Sequence, residues 1–102
     1  MSKADLFYKL SKKADSDLEE IFDYTSDNFG MEQAIKYTAG FEGVFVKLSA
    51  NPKLGRERNE IVNGLRSISY ERHTVFYRIR TAHVLVVRIL HGSRDIIRFL
   101  QR

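Results

Sequence analysis

The apolar positions of this chain change period as it proceeds. Leu6-Phe7-Tyr8-Lys9-Leu10 is a short run with strand character. Ser11 follows, with a hydroxyl that can cap a helix N-terminus. From there Ala14, Leu18, Ile21, Thr25 and Phe29 recur at spacings of 4, 3, 4 and 4, one apolar stripe on a helix. Asp15, Asp17, Glu19 and Glu20 fall on its solvent side or in its first turns, where acids suit the macrodipole. Gly30 ends the helix as a left-handed C′ residue does. A second stripe follows at once: Ala34, Thr38, Phe41, Phe45 and Leu48, with Ile35, Tyr37 and Val44 alongside, stopped by Asn51-Pro52. A connection this short makes the two helices an antiparallel hairpin. Gly40 and Gly43 interrupt the second helix, each at about 1 kcal/mol against alanine. They either admit close approach of the first helix or the sheet, or make the helix pliable.

Beyond Pro52 the period falls to two. Lys53–Arg58 reads as a polar loop, and Glu60–Gly64 leads into three predicted strands: Leu65–Ser69, Thr74–Arg80 and Val84–Leu90. The turns Tyr70–His73 and Thr81–His83 are short enough for an antiparallel meander. Ser93–Gln101 forms a short helix or another strand. The order is β-α-α-β-β-β in one domain spanning residues 1–102. This is an α+β fold: an N-terminal strand, then a helical hairpin packed on one face of a small, mainly antiparallel sheet. Such a sheet leaves its other face free to bind.

Composition narrows the class. At 43% hydrophobic and 12% aromatic, the chain can bury a core. It has no cysteine, which favours a reducing compartment. No apolar run approaches the ~18–20 residues of a membrane span, and no signal-peptide core follows Met1. A cytoplasmic protein is expected. The net charge of +4 is unevenly spread: residues 1–50 carry six Lys against nine acids, and residues 51–102 carry ten Arg and one Lys against four acids. The guanidinium fork of Arg suits phosphate and carboxylate, so an anionic partner for the second half is one reading and a solvated sheet face the other.

Strand alternation sorts those cations. Val75, Tyr77 and Ile79 share one face of their strand, with Thr74, Phe76, Arg78 and Arg80 on the other. In the last strand Leu85, Val87, Ile89 and His91 face one way and Val84, Val86, Arg88 and Leu90 the other. Arg78 and Arg88 interrupt apolar strands. Either each pairs with a local acid or lines a groove edge, or Arg66, Arg78 and Arg88 build an anion-binding surface. His91, at a strand end near Arg94, is a candidate acid or base, or a histidine bonded to nearby backbone. Nothing in the spacing of His and acids points to a metal or another cofactor, and no glycine-rich phosphate loop or serine elbow is present.

Taken in order, these segments resemble the ParE toxins of the RelE/ParE toxin–antitoxin superfamily over nearly the whole chain. The resemblance runs through Tyr8-Lys9-Leu10-Ser11, Ala14–Ile21, Tyr24, Phe29-Gly30, Gln33-Ala34, Leu48–Pro52 and Leu54-Gly55. It continues in Gly64-Leu65-Arg66, His73–Arg78 and the closing Arg88–Asp95. It implies a bacterial toxin that inhibits DNA gyrase by trapping cleaved DNA, neutralised by a ParD-type antitoxin in a hetero-oligomer. The implied mechanism is binding, not catalysis. RelE-like members instead cleave mRNA on the ribosome, so that activity is the alternative, and direct nucleic-acid binding stays open. Nuclease members commonly carry an Arg three residues before the strand Tyr and often a Tyr near the C-terminus. Here Thr74 precedes Tyr77 and no Tyr follows it, so both charge stabilisation and a proton-transfer group are missing there. The partner contacts implied are Arg66, Arg78, Arg88, His91 and Arg94, with Ile97, Phe99 and Leu100 in the C-terminal segment.

Overall fold

A computed structural model describes residues 7–92 and 96–100, with the backbone alone for Ile97 and Phe99. The elements are β1 (Tyr8–Leu10), α1 (Lys12–Phe29), α2 (Met31–Ala50), β2 (Arg56–Glu57), β3 (Leu65–Tyr70), β4 (His73–Ile79), β5 (Val84–His91) and α3 (Ile96–Leu100). One sheet holds all five strands in the order β1-β5-β4-β3-β2. β1 runs parallel to β5 and the remaining pairs are antiparallel. No described helix is long and apolar enough to cross a membrane.

The hairpin forms where the two stripes require it. Ser11 sits in extended backbone and its Oγ accepts the Ala14 N–H at 3.0 Å, capping α1. Gly30, at φ 94°, reverses the chain in one residue. Ala14 and Ile21 of α1, and Phe41, Phe45 and Leu48 of α2, then close over Val75, Tyr77, Val84, Val86 and Ile89 of the sheet. Apart from Ala14, each of these side chains contributes about 1.5–3 kcal/mol by leaving water. Gly40 lies against the Tyr70 hydroxyl, which fills the space a β-carbon would take, whereas Gly43 faces open space. Close approach to the sheet therefore explains Gly40 alone.

α1 also shields a strand edge. β1 covers β5 only as far as Val86. Beyond it the Ser11 N–H donates to the Val86 carbonyl at 2.9 Å and Ser11 Oγ to the Val87 carbonyl at 2.9 Å. Asp17 Oδ2 accepts the Ile89 N–H at 2.9 Å. Helix side chains thus satisfy backbone groups that a bare edge would expose.

Several sequence expectations are corrected here. The loop read over Lys53–Arg58 contains β2, two residues paired with Arg66 and Ser67. Strict alternation fails in β5, because Phe76 pairs with Arg88 while Tyr77 pairs with Val86, leaving Val87 as a bulge. Val84, Val86 and Ile89 consequently share the hairpin side. Val87 and Leu90 pack on the opposite side. That opposite side is not free, for Ile61, Leu65, Phe76 and Leu90 make a second core there, joined by Val62, Ile96 and Leu100. The C-terminal segment is helical over Ile96–Leu100. Asp17 is buried rather than solvent-facing, and Phe29, expected inside the stripe, is exposed.

Candidate functional site

Between the start of α1, the approach to β3, and α3 lies a cleft of about 320 Å³ on the second-core side of the sheet. Ser11 brings Lys12 and Lys13 to its mouth by pinning the first turn of α1 to the bulged strand. Both lysines stand where the helix macrodipole is positive, a placement that works against the helix by up to about 1 kcal/mol each. Val62, Leu65, Val87 and Leu100 form an apolar floor and walls. Arg78, opposite Leu65 in the β3–β4 pair, reaches across and donates to the Asn63 carbonyl at 2.9 Å. It passes close over Gly64, whose φ of 84° makes the turn into β3.

Arg88 completes the lining but its charge is already matched. Its Nε and Nη2 donate to the two oxygens of Asp17 at 2.8 and 2.9 Å, a bidentate pair. That hydrogen bonding raises the guanidinium pKa above its ordinary value, against an opposing effect of burial, so Arg88 stays charged. Among the described residues, Lys12, Lys13 and Arg78 have no carboxylate partner. A positive mouth over an apolar floor favours an acidic, amphipathic segment. A bare phosphate backbone has no use for the floor.

The other expected contact residues are divided between the faces. Arg66 is on the hairpin side, opposite Tyr77, where it donates to the carbonyls of Gly55 at 2.7 Å and Lys53 at 3.2 Å. His91 is also on that side, its ring 5.3 Å from that of His73. His73 Nδ1 in turn lies 2.9 Å from the Tyr37 hydroxyl. Burial raises the Tyr37 phenol above its usual pKa. So the structure brings Arg78, Arg88 and Leu100 together and sets Arg66 and His91 apart from them. Arg94 lies outside the described residues, as do the side chains of Ile97 and Phe99.

Tyr77, the strand tyrosine, is fully buried. Its hydroxyl donates to the Pro52 carbonyl at 2.6 Å and accepts the Gly55 N–H at 2.8 Å. Both of its hydrogen-bonding roles serve the Pro52–Gly55 loop. Among the described residues no three His, Cys, Asp or Glu side chains converge as a metal would require. Sequence reasoning missed Ser11, Lys12, Lys13, Val62, Leu65 and Val87 as cleft residues. The signal for the lysines was present in their unfavourable position just after a capping serine.

The comparisons with known proteins agree with this architecture. Residues 8–96 match the family model for the ParE toxin of the type II toxin–antitoxin system parDE. Toxin ParE1 of Mycobacterium tuberculosis is 40% identical over 94 residues, covering 91% of this chain and 96% of that protein. Toxin ParE1 of Caulobacter vibrioides is 31% identical over 88 residues, covering 86% of this chain and 91% of its own. A solved chain of the chromosomal ParDE system from P. aeruginosa superposes with a TM-score of 0.73 at 26% identity, over 84% of this chain and 95% of that one. The chain belongs to the ParE toxin family of type II toxin–antitoxin systems.

Proposed function

We propose that this ParE-family chain acts in the bacterial cytoplasm by binding DNA gyrase and trapping it on cleaved DNA, and that a ParD-type antitoxin neutralises it. The observation that carries the antitoxin half is the cleft, with three cations that lack a carboxylate partner among the described residues around an apolar floor. An acidic, amphipathic antitoxin segment would place carboxylates at Lys12, Lys13 and Arg78 and apolar side chains on Val62, Leu65 and Val87. Pairs of this kind, partly withdrawn from water, steer encounter and set register. Arg66, Arg88 and His91 would act in this reading as supports for the fold around the cleft. Arg94, Ile97 and Phe99 remain candidates for partner contact alongside Leu100.

Binding without catalysis is favoured over mRNA cleavage by one arrangement. Arg78 lies on the opposite face of the sheet from His91, and the Tyr77 hydroxyl is committed to the loop. A proton-transfer group and a phosphate-stabilising cation need to meet on one reacting atom.

Two measurements test the proposal. Purified chain is titrated into a gyrase supercoiling reaction, where dose-dependent inhibition with accumulation of cleaved DNA is expected. An absence of both from a folded chain that arrests growth would refute the gyrase assignment. Antitoxin affinity is measured for Lys12→Glu/Lys13→Glu and for Arg78→Glu. At least a tenfold loss is expected for each, and affinity within twofold of wild type would remove the antitoxin from this cleft.

A further inference from the structure

The two helices outrun the sheet. On α1 the side chains packed against the sheet end at Ile21, and on α2 they begin at Tyr37. The span between is held by the hairpin itself, with Thr25 and Ala34 buried. Gly30 is the sole connecting residue, its N–H bonded to the Ser26 carbonyl and its own carbonyl to the Ala34 N–H. This is a stiff tip, not a loose loop.

Its surface is unusual in two independent ways. Tyr24, Phe29, Met31 and Ile35 are 66%, 69%, 57% and 56% exposed, four large apolar side chains within about two helical turns of Gly30. Scattered exposed apolar residues need no explanation, but a cluster rimmed by polar groups marks an interaction surface. The rim is mainly acidic. Glu19, Glu20, Asp23, Asp27 and Glu32 lie along it, against Lys36 as the one base within six residues of Gly30.

We infer that the hairpin tip is a second docking surface, through which the chain seats on an apolar protein surface bordered by Lys and Arg in its target. Charge decides between occupants. Nucleic acid is repelled by the acidic rim. An acidic antitoxin segment suited to the basic cleft is repelled for the same reason. Two tips meeting about a twofold axis would set acid against acid. A tip seated on the basic cleft of a second copy would be a head-to-tail contact, which builds rings or open chains and not a closed pair. An enzyme that holds DNA borders its nucleic-acid path with cations, which is the surface chemistry the tip complements. Rigid aromatic anchors such as Tyr24 and Phe29 lose little freedom on docking.

The tip and the cleft stand at opposite ends of α1. From Lys12 to Phe29 the helix rises about 26 Å at 1.5 Å per residue. Each end is open to its own partner, so target and antitoxin recognition are separable by mutation. This inference rests on the reading of the chain as a toxin with a protein target, and deepens it by naming the surface used.

The test uses full-length Phe29→Ser/Met31→Ser and Asp23→Lys/Asp27→Lys chains, whose urea midpoints are expected to match wild type because all four positions are solvent-facing. With purified gyrase and a ParD-type antitoxin as probes, each double variant is expected to need at least tenfold more protein for half inhibition of supercoiling. Antitoxin affinity is expected to stay within twofold. Unchanged inhibition would overturn the inference. So would a parallel loss of antitoxin affinity, which would assign the tip to the antitoxin, or concentration-dependent self-assembly of wild type that the variants abolish. If wild type arrests growth without touching gyrase, the gyrase reading fails by itself, and growth arrest becomes the readout. Relief of arrest by both variants then supports the tip with another target, and undiminished arrest overturns it. A folded wild-type chain that neither inhibits gyrase nor arrests growth overturns both.

Discussion

Removing the Asp17 carboxylate should cost this chain a large part of its stability. Three donors depend on it: Arg88 Nε at 2.8 Å, Arg88 Nη2 at 2.9 Å and the Ile89 N–H at 2.9 Å. Asp17 is 7% exposed, so water cannot readily replace it. Breaking a buried pair from one side costs about 3–5 kcal/mol, because the remaining charge is left without compensation. Total stability for a domain is about 5–15 kcal/mol. For Asp17→Ala, a urea m-value of about 1.5 kcal/mol/M converts that loss into a midpoint lowered by about 2–3 M. Arg88 offers no escape by deprotonation, since a guanidinium stays protonated in a protein even without a carboxylate beside it. Asp17→Asn keeps acceptors for part of this set and should lose about 1.5–3 kcal/mol. The double variant Asp17→Asn/Arg88→Met removes both charges, and should be more stable than the sum of its singles predicts by at least about 1 kcal/mol. Equilibrium urea unfolding, followed by far-UV circular dichroism, measures these three variants together with the Arg88→Met single and wild type. A midpoint shift below about 0.5 M for Asp17→Ala would refute the reasoning. So would strict additivity in the cycle.

Four further substitutions probe other contacts. Gly43→Ala should stabilise by about 0.8–1 kcal/mol, since its β-carbon meets open space, and raise the melting temperature by about 4–8 °C in calorimetry. Gly40→Ala should instead destabilise by about 1–3 kcal/mol because Tyr70 must move out of its place against Tyr37 and Phe41, and Gly40→Ala/Tyr70→Phe should recover part of that loss. Tyr77→Phe leaves the buried Gly55 N–H without its acceptor at a cost of about 1–3 kcal/mol, and proteolysis should then cut first near Leu54. Ser11→Ala removes the α1 cap and the bond to Val87, lowering stability by about 1–2 kcal/mol in the same urea assay.

The hairpin and the meander were legible because they rest on local rules: a capping serine, a glycine stop, and periods of 3.6 and 2. β2 was not, since two exposed residues carry no periodic signal and pair only because Arg66 and Tyr77 hold the preceding loop in place. The bulge at Val87 was hidden at the end of the apolar run Val84–Val87, where shifting the frame exchanges one valine for another. Phe29 shows a different failure. Its spacing is faultless for a buried stripe, but the sheet ends before the helix does, and no local pattern reports the length of a distant neighbour. For the candidate site, the sequence exposed the interrupting arginines Arg78 and Arg88 and even their alternative as ion-paired residues. It could not tell that Arg88 meets Asp17, seventy-one positions away, while Arg78 meets only a loop carbonyl among the described residues.

The bulge in β5 also fixes where this strand can lose a residue. Delete Val87, and Val86 and Arg88 become neighbours facing Tyr77 and Phe76, the register they already keep. Val84, Val86 and Ile89 would still turn to the hairpin and Leu90 to the second core, and Arg88 would still face Asp17. Delete Leu85 instead, and Val84 is thrown to the wrong face and out of step with Tyr8. Shortened relatives of this chain should therefore carry their gap at the bulge, and a library of single-residue deletions across Val84–Leu90 should return folded protein mainly from Val87.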